Sequence, residues 1–142
     1  MRSVSLSVPP LPDSPASLPA MSVQAIRGAT TVAEDSESAV RAACGLLFHE
    51  MMTANAVDYA DMVSVFVTTT ADIRSMFPAK ALREECGLDD VPLMGALEAD
   101  IEGGLLLAIR VMLHINTDKP RNEIQHVFQG GATSLRPDIA NR

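Results

Sequence analysis

Aromatic residues and basic charge are both scarce in this sequence. Its 142 residues include no tryptophan and one tyrosine, and the net charge is −7. Few aromatic rings leave little surface on which nucleic-acid bases could stack. Nucleic acids and anionic membranes attract basic surfaces, which this chain lacks overall. No apolar run approaches the roughly 20 residues of a membrane span. We therefore expect neither a nucleic-acid partner nor a membrane partner.

Motifs of metal and covalent chemistry are missing as well. Three histidines are scattered without metal-ligand spacing, so we expect no metal site: His49, His114 and His126. There is no G-x-S-x-G motif and no glycine-rich phosphate loop, and the glycine pairs at 103–104 and 130–131 are typical of turns. Cys44 and Cys86 lack C-x-x-C spacing, which favours free, mostly buried thiols in a reducing cytoplasm.

The N-terminal segment differs in composition from the rest of the chain. Residues 1–21 hold five of the nine prolines and no aromatic residue, a composition that predicts a disordered arm. A signal peptide is the alternative, but prolines interrupt the apolar stretch that export requires. Met21 is also a candidate start. We expect one domain over residues 22–142.

Apolar periodicity predicts one long helix early in the domain. Asp35 or Ser36 is a suitable N-cap, and the helix is expected to end near Ala54. Its apolar residues recur every three or four positions and form one broad stripe. We interpret this stripe as core packing: Val40, Ala43, Cys44, Leu47, Phe48, Met51 and Met52.

Five strands and a short helix complete the predicted fold. Pro78 suits the first turn of a helix that ends at Cys86, and Gly87 suits its C-terminal cap. The strands are expected at 23–29, 63–69, 91–97, 105–115 and 124–128. This pattern indicates an α+β fold, a mixed sheet with helices packed on it.

Two arginines lie inside apolar strand sequences. Arg27 follows Ala25 and Ile26, and Arg110 lies between Ile109 and Val111. A half-buried strand rarely tolerates an unpaired charge. Two such cases in one small acidic chain indicate a site for an anion. The alternative is a structural arginine paired with one of the 18 acidic residues.

Motifs in fixed order along the domain resemble the small, monofunctional, sheet-containing chorismate mutases of bacteria. The resemblance covers residues 22–138 and includes Glu98, Asp100 and His126-Val127. Its longer motifs are IRGATTV at 26–32, FPAKALRE at 77–84, VP at 91–92, GGL at 103–105, IRVM at 109–112 and LRPD at 135–138.

The resemblance implies a pseudo-α/β-barrel homotrimer with active sites between subunits. It also implies conversion of chorismate to prephenate, the intramolecular Claisen rearrangement of a dianion. Such a reaction needs no nucleophile, no general base and no cofactor. Holding the flexible substrate side chain over its ring is a large entropic part of this task.

Site residues follow from the same resemblance. Arg110 matches the arginine at the ether oxygen, where negative charge grows as the C–O bond breaks. Arg27 matches an arginine whose planar fork grips a substrate carboxylate, and Glu98 matches the acceptor of a hydrogen bond from the substrate hydroxyl. The remaining substrate-binding residues are Phe77, Ala79, Lys80, Arg83, Met94, Gly95, Phe128, Leu135 and Arg136.

Simpler interpretations of several of these residues stay open. Lys80 and Arg83 could be solvated charges on a short helix, because surface charges are the default. Glu98 could be a structural partner of a buried arginine, and Leu135 could belong to the core. In the family interpretation Glu98 also neutralises the arginine cluster, so the two interpretations overlap.

Two positions depart from the family pattern. Phe128 stands where the family commonly has tyrosine, which removes a donor worth about 1.5–3 kcal/mol to a charged group. Met94-Gly95 stands where some members have threonine and cysteine. These departures motivate a second hypothesis, a weakly active or non-catalytic protein that binds chorismate-like dicarboxylates in specialised metabolism. A similarly folded trimeric imine or enamine hydrolase is a third hypothesis by fold analogy alone.

Overall fold

The computed structural model describes residue 7 and residues 20–135. Most of the predicted N-terminal arm and residues 136–142, including Arg136, lie outside the described residues. The strands are β1 Ser22–Thr31, β2 Met62–Thr69, β3 Leu93–Leu97, β4 Ala108–Thr117 and β5 Val127–Phe128, and the helices are α1 Glu37–Ala54 and α2 Pro78–Cys86. Short 3-10 turns lie at Tyr59–Asp61, Arg121–Glu123 and Gly130–Ser134.

The described strands form one mixed sheet in the order β3-β2-β4-β1-β5. β4 lies at the centre and pairs antiparallel with β1 and β2, while β3 and β5 add parallel strands at the two edges. The predicted α+β class, with a mixed five-stranded sheet and helices packed on it, is confirmed.

Helix α1 begins at the Ser36 cap, whose Oγ accepts a hydrogen bond from the Ala39 amide at 3.2 Å. Asp35, the other predicted cap, instead accepts the amides of Arg74 and Ser75 at 3.0 and 3.1 Å. The apolar stripe enters the core as predicted. Its fully buried members are Val40, Cys44, Leu47, Phe48 and Met51, with Ala43 and Met52 packed against them.

The two helices pack on one face of the sheet, and the other face carries Arg27 and Arg110. Along β4, Ile109, Val111 and Leu113 are buried, while Arg110 and Met112 alternate with them and retain exposure. This alternation follows from the two-residue period of a strand. We call the second face, marked by Arg110 and Met112, the open face.

Strand β4 begins three residues later than its predicted start at 105. Leu107 adopts a positive φ of 51°, a left-handed backbone that interrupts a strand. Its amide donates to Asp72 Oδ2 at 2.8 Å, and its carbonyl accepts the Val32 amide at 2.9 Å. Tertiary hydrogen bonds therefore hold the 105–107 segment as a bend. β4 also runs on to Thr117, past the predicted end.

Strand β5 is two residues long, whereas the prediction was 124–128. The amide of Gln125 donates to Asn55 Oδ1 at 2.7 Å, and its carbonyl accepts Asn55 Nδ2 at 2.8 Å. A buried side chain therefore occupies the backbone groups that a longer strand would use. β3 likewise begins at Leu93 rather than 91, after Pro92, which has no amide to donate.

Turn residues and thiols follow the sequence expectations. Gly87 caps α2 with a left-handed φ of 66°, and Gly103 and Gly130 have φ values of 79° and 55°. Cys44 and Cys86 are free thiols, and burial raises their pKa values to about 12 and about 11. None of the described helices combines the length and hydropathy needed to cross a membrane.

Candidate active site

The central strand delivers Arg110 to the middle of the open face. Its register partners are Ala29 on β1 and Thr68 on β2. Neighbouring strands present register partners on the same face, so Thr68 and Arg110 project from adjacent strands in the same direction. The Arg110 side chain is 32% exposed. It is therefore half-buried, and a charged partner is expected beside it.

Glu98 is that partner. It follows β3 directly, and its amide donates to the Thr69 carbonyl at 2.8 Å, which continues the pairing of β3 with β2. Oε1 of Glu98 lies 3.1 Å from Nε of Arg110, and the carboxylate side chain is 21% exposed. The contact is an ion pair by distance, and among the described residues none accepts a hydrogen bond from the buried Nε–H.

Thr68 completes this charged cluster. Its Oγ1 hydroxyl donates a hydrogen bond to Oε1 of Glu98, the same oxygen that faces Arg110. Within residues 20–135, neither Oε2 of Glu98 nor the Nη atoms of Arg110 form hydrogen bonds. A cationic donor and a carboxylate acceptor are thus offered side by side. Such a pair can bind an anionic oxygen and a hydroxyl of one ligand.

Arg27 lies on the neighbouring strand beside Phe128. Its guanidinium carbon is 5.8 Å from the centroid of the Phe128 ring, within the range of a cation–π contact. The Arg27 amide donates to Nδ1 of His126 at 2.9 Å, which joins β1 to the segment before β5. The aromatic residue at position 128 therefore supports the arginine by its ring face.

A cavity of about 720 Å³ lies between α2 and the β3 edge. Four of the predicted substrate-binding residues line it: Phe77, Ala79, Lys80 and Gly95. Phe77 is 78% exposed at the start of α2. The nearest side-chain atom to a Cβ built on Gly95 would be Cβ of Ala79 at 3.9 Å, so the glycine leaves room against the helix.

A second cavity, of about 580 Å³, contains both Glu98 and Arg110. Its walls come from the Thr70–Asp72 turn and the 99–106 loop. Asp72 shapes this wall, because it accepts both the Thr70 hydroxyl at 2.5 Å and the Leu107 amide. The predicted site residues of one chain are therefore divided between two cavities and the Arg27–Phe128 contact.

Three further predicted residues lie outside both cavities and outside the Arg27–Phe128 contact. Arg83 is exposed on α2, and Met94 is 63% exposed on β3, where its register partner is Phe66. Leu135 is half-buried after the last 3-10 turn. Thr68 was missed at the sequence level because its strand is rich in β-branched residues, which indicate packing. One signal in the sequence could have found it. Thr68 alternates with the buried Val65 and Val67, which places it on the opposite face of the strand.

Comparison with known proteins gives consistent matches over the same region. Residues 23–139 match the family model of chorismate mutase type I. The chorismate mutase AroH of Bacillus subtilis (strain 168) is 38% identical over 120 residues, covering 84% of this chain and 94% of that protein. AroH of Thermus thermophilus is 41% identical over 118 residues, covering 82% of this chain and 96% of that protein.

A solved structure agrees with these relatives. The chorismate mutase from Clostridium thermocellum superposes with a TM-score of 0.76 at 39% identity, covering 79% of this chain and 99% of that one. The fold and these relatives together define an isomerase. The chain belongs to the chorismate mutase type I family. Its activity is that of a chorismate mutase, and the comparisons do not support a binding protein without catalysis.

Proposed function

We propose that chorismate rearranges to prephenate against the Arg110–Glu98 pair. This proposal rests on the ion pair of the open face, in which Nε of Arg110 faces Glu98. The Nη atoms of Arg110 form no hydrogen bond with any described residue and can donate to a ligand. Arg110 donates to the ether oxygen, where charge develops as the C–O bond breaks. A donor fixed before the reaction stabilises that charge without reorganising. Glu98 accepts the substrate hydroxyl with Oε2.

A second arginine of the open face, Arg27, holds the substrate. Arg27 binds a substrate carboxylate through its planar guanidinium, and the ring of Phe128 limits where that guanidinium can lie. Binding both ends of the dianion restricts it to the folded conformer that reacts. The cavity at α2 supplies apolar walls from Phe77, Ala79 and Gly95, and a cation from Lys80. Met94, Arg83, Leu135 and Arg136 are proposed to border the same site.

We propose further that the active unit is a homotrimer with sites between subunits. On the open face, Phe66, Met94 and Met112 are 45%, 63% and 37% exposed. Contiguous apolar surface of this kind is typical of a protein contact. The site residues of one chain also fall into separate cavities. A neighbouring copy that covers the open face would bring the α2 cavity of one chain to the arginines of another.

Replacement of Arg110 by alanine tests the proposed chemistry. Loss of one preorganised donor to a developing oxyanion costs about 2.7–4 kcal/mol, so kcat should fall about a hundredfold to a thousandfold. Arg121→Ala, which removes an exposed arginine of a 3-10 turn, is the matched control and should keep full turnover. Loss of chorismate and appearance of prephenate are followed by NMR. Unchanged turnover of the Arg110 variant would refute the mechanism.

We assign catalysis to residues 22–142. A chain that begins at Met21 should keep full turnover, and its inactivity would refute the proposed domain boundary.

We also propose that the protein is located in the cytoplasm. Two unbridged cysteines support a reducing compartment. Cell fractionation tests the location, and recovery of the protein in an exported fraction would refute it.

A further inference from the structure

Thr68 occupies a special place in the charged cluster. It lies on β2 directly opposite Arg110 of β4, and its other register partner is Ala96 of β3, two residues before Glu98. Its hydroxyl donates to Oε1 of Glu98, and that oxygen also faces Nε of Arg110. Side chains of β2 and β4 therefore meet at a single carboxylate oxygen of the residue that follows β3.

Two contacts on one oxygen determine where the other oxygen points. The backbone of Glu98 is anchored by its amide bond to Thr69, but its side chain keeps several rotatable bonds. Arg110 alone does not orient the carboxylate, because its Nε–H makes no hydrogen bond to it or to any other described residue. The Thr68 hydroxyl is the directional contact among the described residues. It fixes Oε1 inward and leaves Oε2 for a ligand.

We propose that Thr68 is a positioning residue of this site, acting through Glu98. The proposal rests on the proposed role of Glu98 as acceptor of the substrate hydroxyl. Without the Thr68 hydroxyl, the carboxylate can rotate and close a direct, two-oxygen contact with Arg110. Such a contact would occupy both the acceptor for the substrate hydroxyl and the donor for the ether oxygen.

The test compares Thr68→Val, which keeps the branched shape, with Thr68→Ser, which keeps the hydroxyl. A hydrogen bond to a charged group makes a difference of about tenfold to a hundredfold, so kcat/KM of Thr68→Val should fall by that factor. Thr68→Ser should recover most of the loss. Thr68→Ala, which lacks both the hydroxyl and the branched shape, should resemble Thr68→Val. Agreement of the two variants shows that the loss comes from the missing hydroxyl and not from poor packing of the valine.

A double-substitution cycle with Glu98→Ala, which removes both carboxylate oxygens, separates positioning from a structural effect. If Thr68 acts through Glu98, adding Thr68→Val to Glu98→Ala should cost little more than Glu98→Ala alone. The division of the loss between kcat and KM should be the same in both single variants. Thr117→Val is the matched control, because its hydroxyl accepts the Lys119 amide far along β4, and it should keep full turnover.

The outcomes distinguish this proposal from the one on which it rests. Wild-type kinetics of Thr68→Val, or losses that add in the double variant, would overturn the positioning role while the role of Glu98 stands. Full activity of Glu98→Ala would overturn the proposed acceptor and the route through Thr68 together. Urea unfolding of each variant identifies a loss of activity caused by a loss of folded protein.

Discussion

Arg110 shows how a charge is tolerated in the centre of a sheet. Removing a guanidinium from water is costly unless a carboxylate and hydrogen bonds compensate. Here the compensation comes from Glu98 at 3.1 Å, while the described residues leave the Nη atoms without hydrogen bonds. A purely structural ion pair would be expected to satisfy more of its donors. The incomplete pairing of Arg110 therefore favours a ligand site over a structural role.

Asp35 provides a second case at the residue scale. Its carboxylate accepts hydrogen bonds from Ser75 and Arg74, the segment that leads into Phe77 and lines the α2 cavity. Hydrogen bonding to Ser75, followed by the Arg74 amide, lowers the pKa of Asp35 below its ordinary 3.8. A depressed pKa in the folded state stabilises the fold above the unfolded pKa, and this contribution is lost as pH falls through the folded value.

Asp35→Ala should therefore lower stability at neutral pH and raise KM, because the cavity segment loses its tether. The difference from the wild type in unfolding free energy should shrink as pH falls below 3.8 and vanish once Asp35 is protonated. Urea unfolding from pH 7 down to pH 3 measures this difference. A difference that stays constant over this range would show that the ionised carboxylate is not the stabilising group.

At the scale of elements, two strand glycines face different surroundings. A Cβ on Gly28 of β1 would overlap Sδ of Met51, a residue with no exposed surface in α1. The same atom on Gly95 of β3 would meet the Val67 carbonyl at 3.7 Å, an ordinary contact. Close approach of helix to sheet therefore favours glycine at position 28, where a Cβ would force Met51 to shift, and does not require it at position 95.

Gly28→Ala should lower the unfolding free energy by about 1–3 kcal/mol, the usual cost of overpacking a core. Gly95→Ala should raise it by about 0.5–1 kcal/mol, since glycine within a strand is less favourable than alanine. Equilibrium urea unfolding of the two variants makes the comparison. Equal effects at the two positions would mean that Met51 moves aside without cost.

Asn55 connects elements that are distant along the chain. It is 2% exposed, and its amide donates to Met51 at the end of α1 and to Gln125 before β5. Its own carbonyl accepts Nζ of Lys119 at 2.7 Å. This network determines where β5 begins, and through β5 it places Phe128 beside Arg27.

At the scale of the whole molecule, the open face is expected to determine assembly. Its apolar side chains stand in register, with Phe66 opposite both Met94 and Met112. The His114 and Phe66 rings lie nearly perpendicular to each other, with centroids 5.9 Å apart. A face of this kind in water favours association of copies.

Phe66→Glu should break the proposed trimer, because a charge would be buried without a partner in the contact. Turnover should fall with it, since we propose that the sites lie between subunits. Leu46→Glu is the matched control: Leu46 is 64% exposed on α1, away from the open face, and its replacement should leave both properties unchanged. Sedimentation equilibrium and the chorismate assay are measured on the same samples. A monomeric Phe66 variant with full turnover would refute the shared site.

The sequence by itself determined the type and order of the elements and the family of the protein. Periodicity placed the core stripe of α1, and glycine and proline placed the ends of α2. The motifs around Arg27 and Arg110 indicated the family that the comparisons confirm. The helix features depend on residues within a few positions of one another, so local physics is sufficient to predict them, whereas the family follows from the resemblance of motifs along the whole domain.

The tertiary structure alone decided what depends on pairing between distant segments. It selected Ser36 over Asp35 as the cap, because the 74–75 segment occupies Asp35. It shortened β5, because Asn55 takes the backbone groups of Gln125. It brought Thr68 to the carboxylate of Glu98 through the register of β2, β3 and β4. Such pairings join residues tens of positions apart, and no pattern within one segment encodes them.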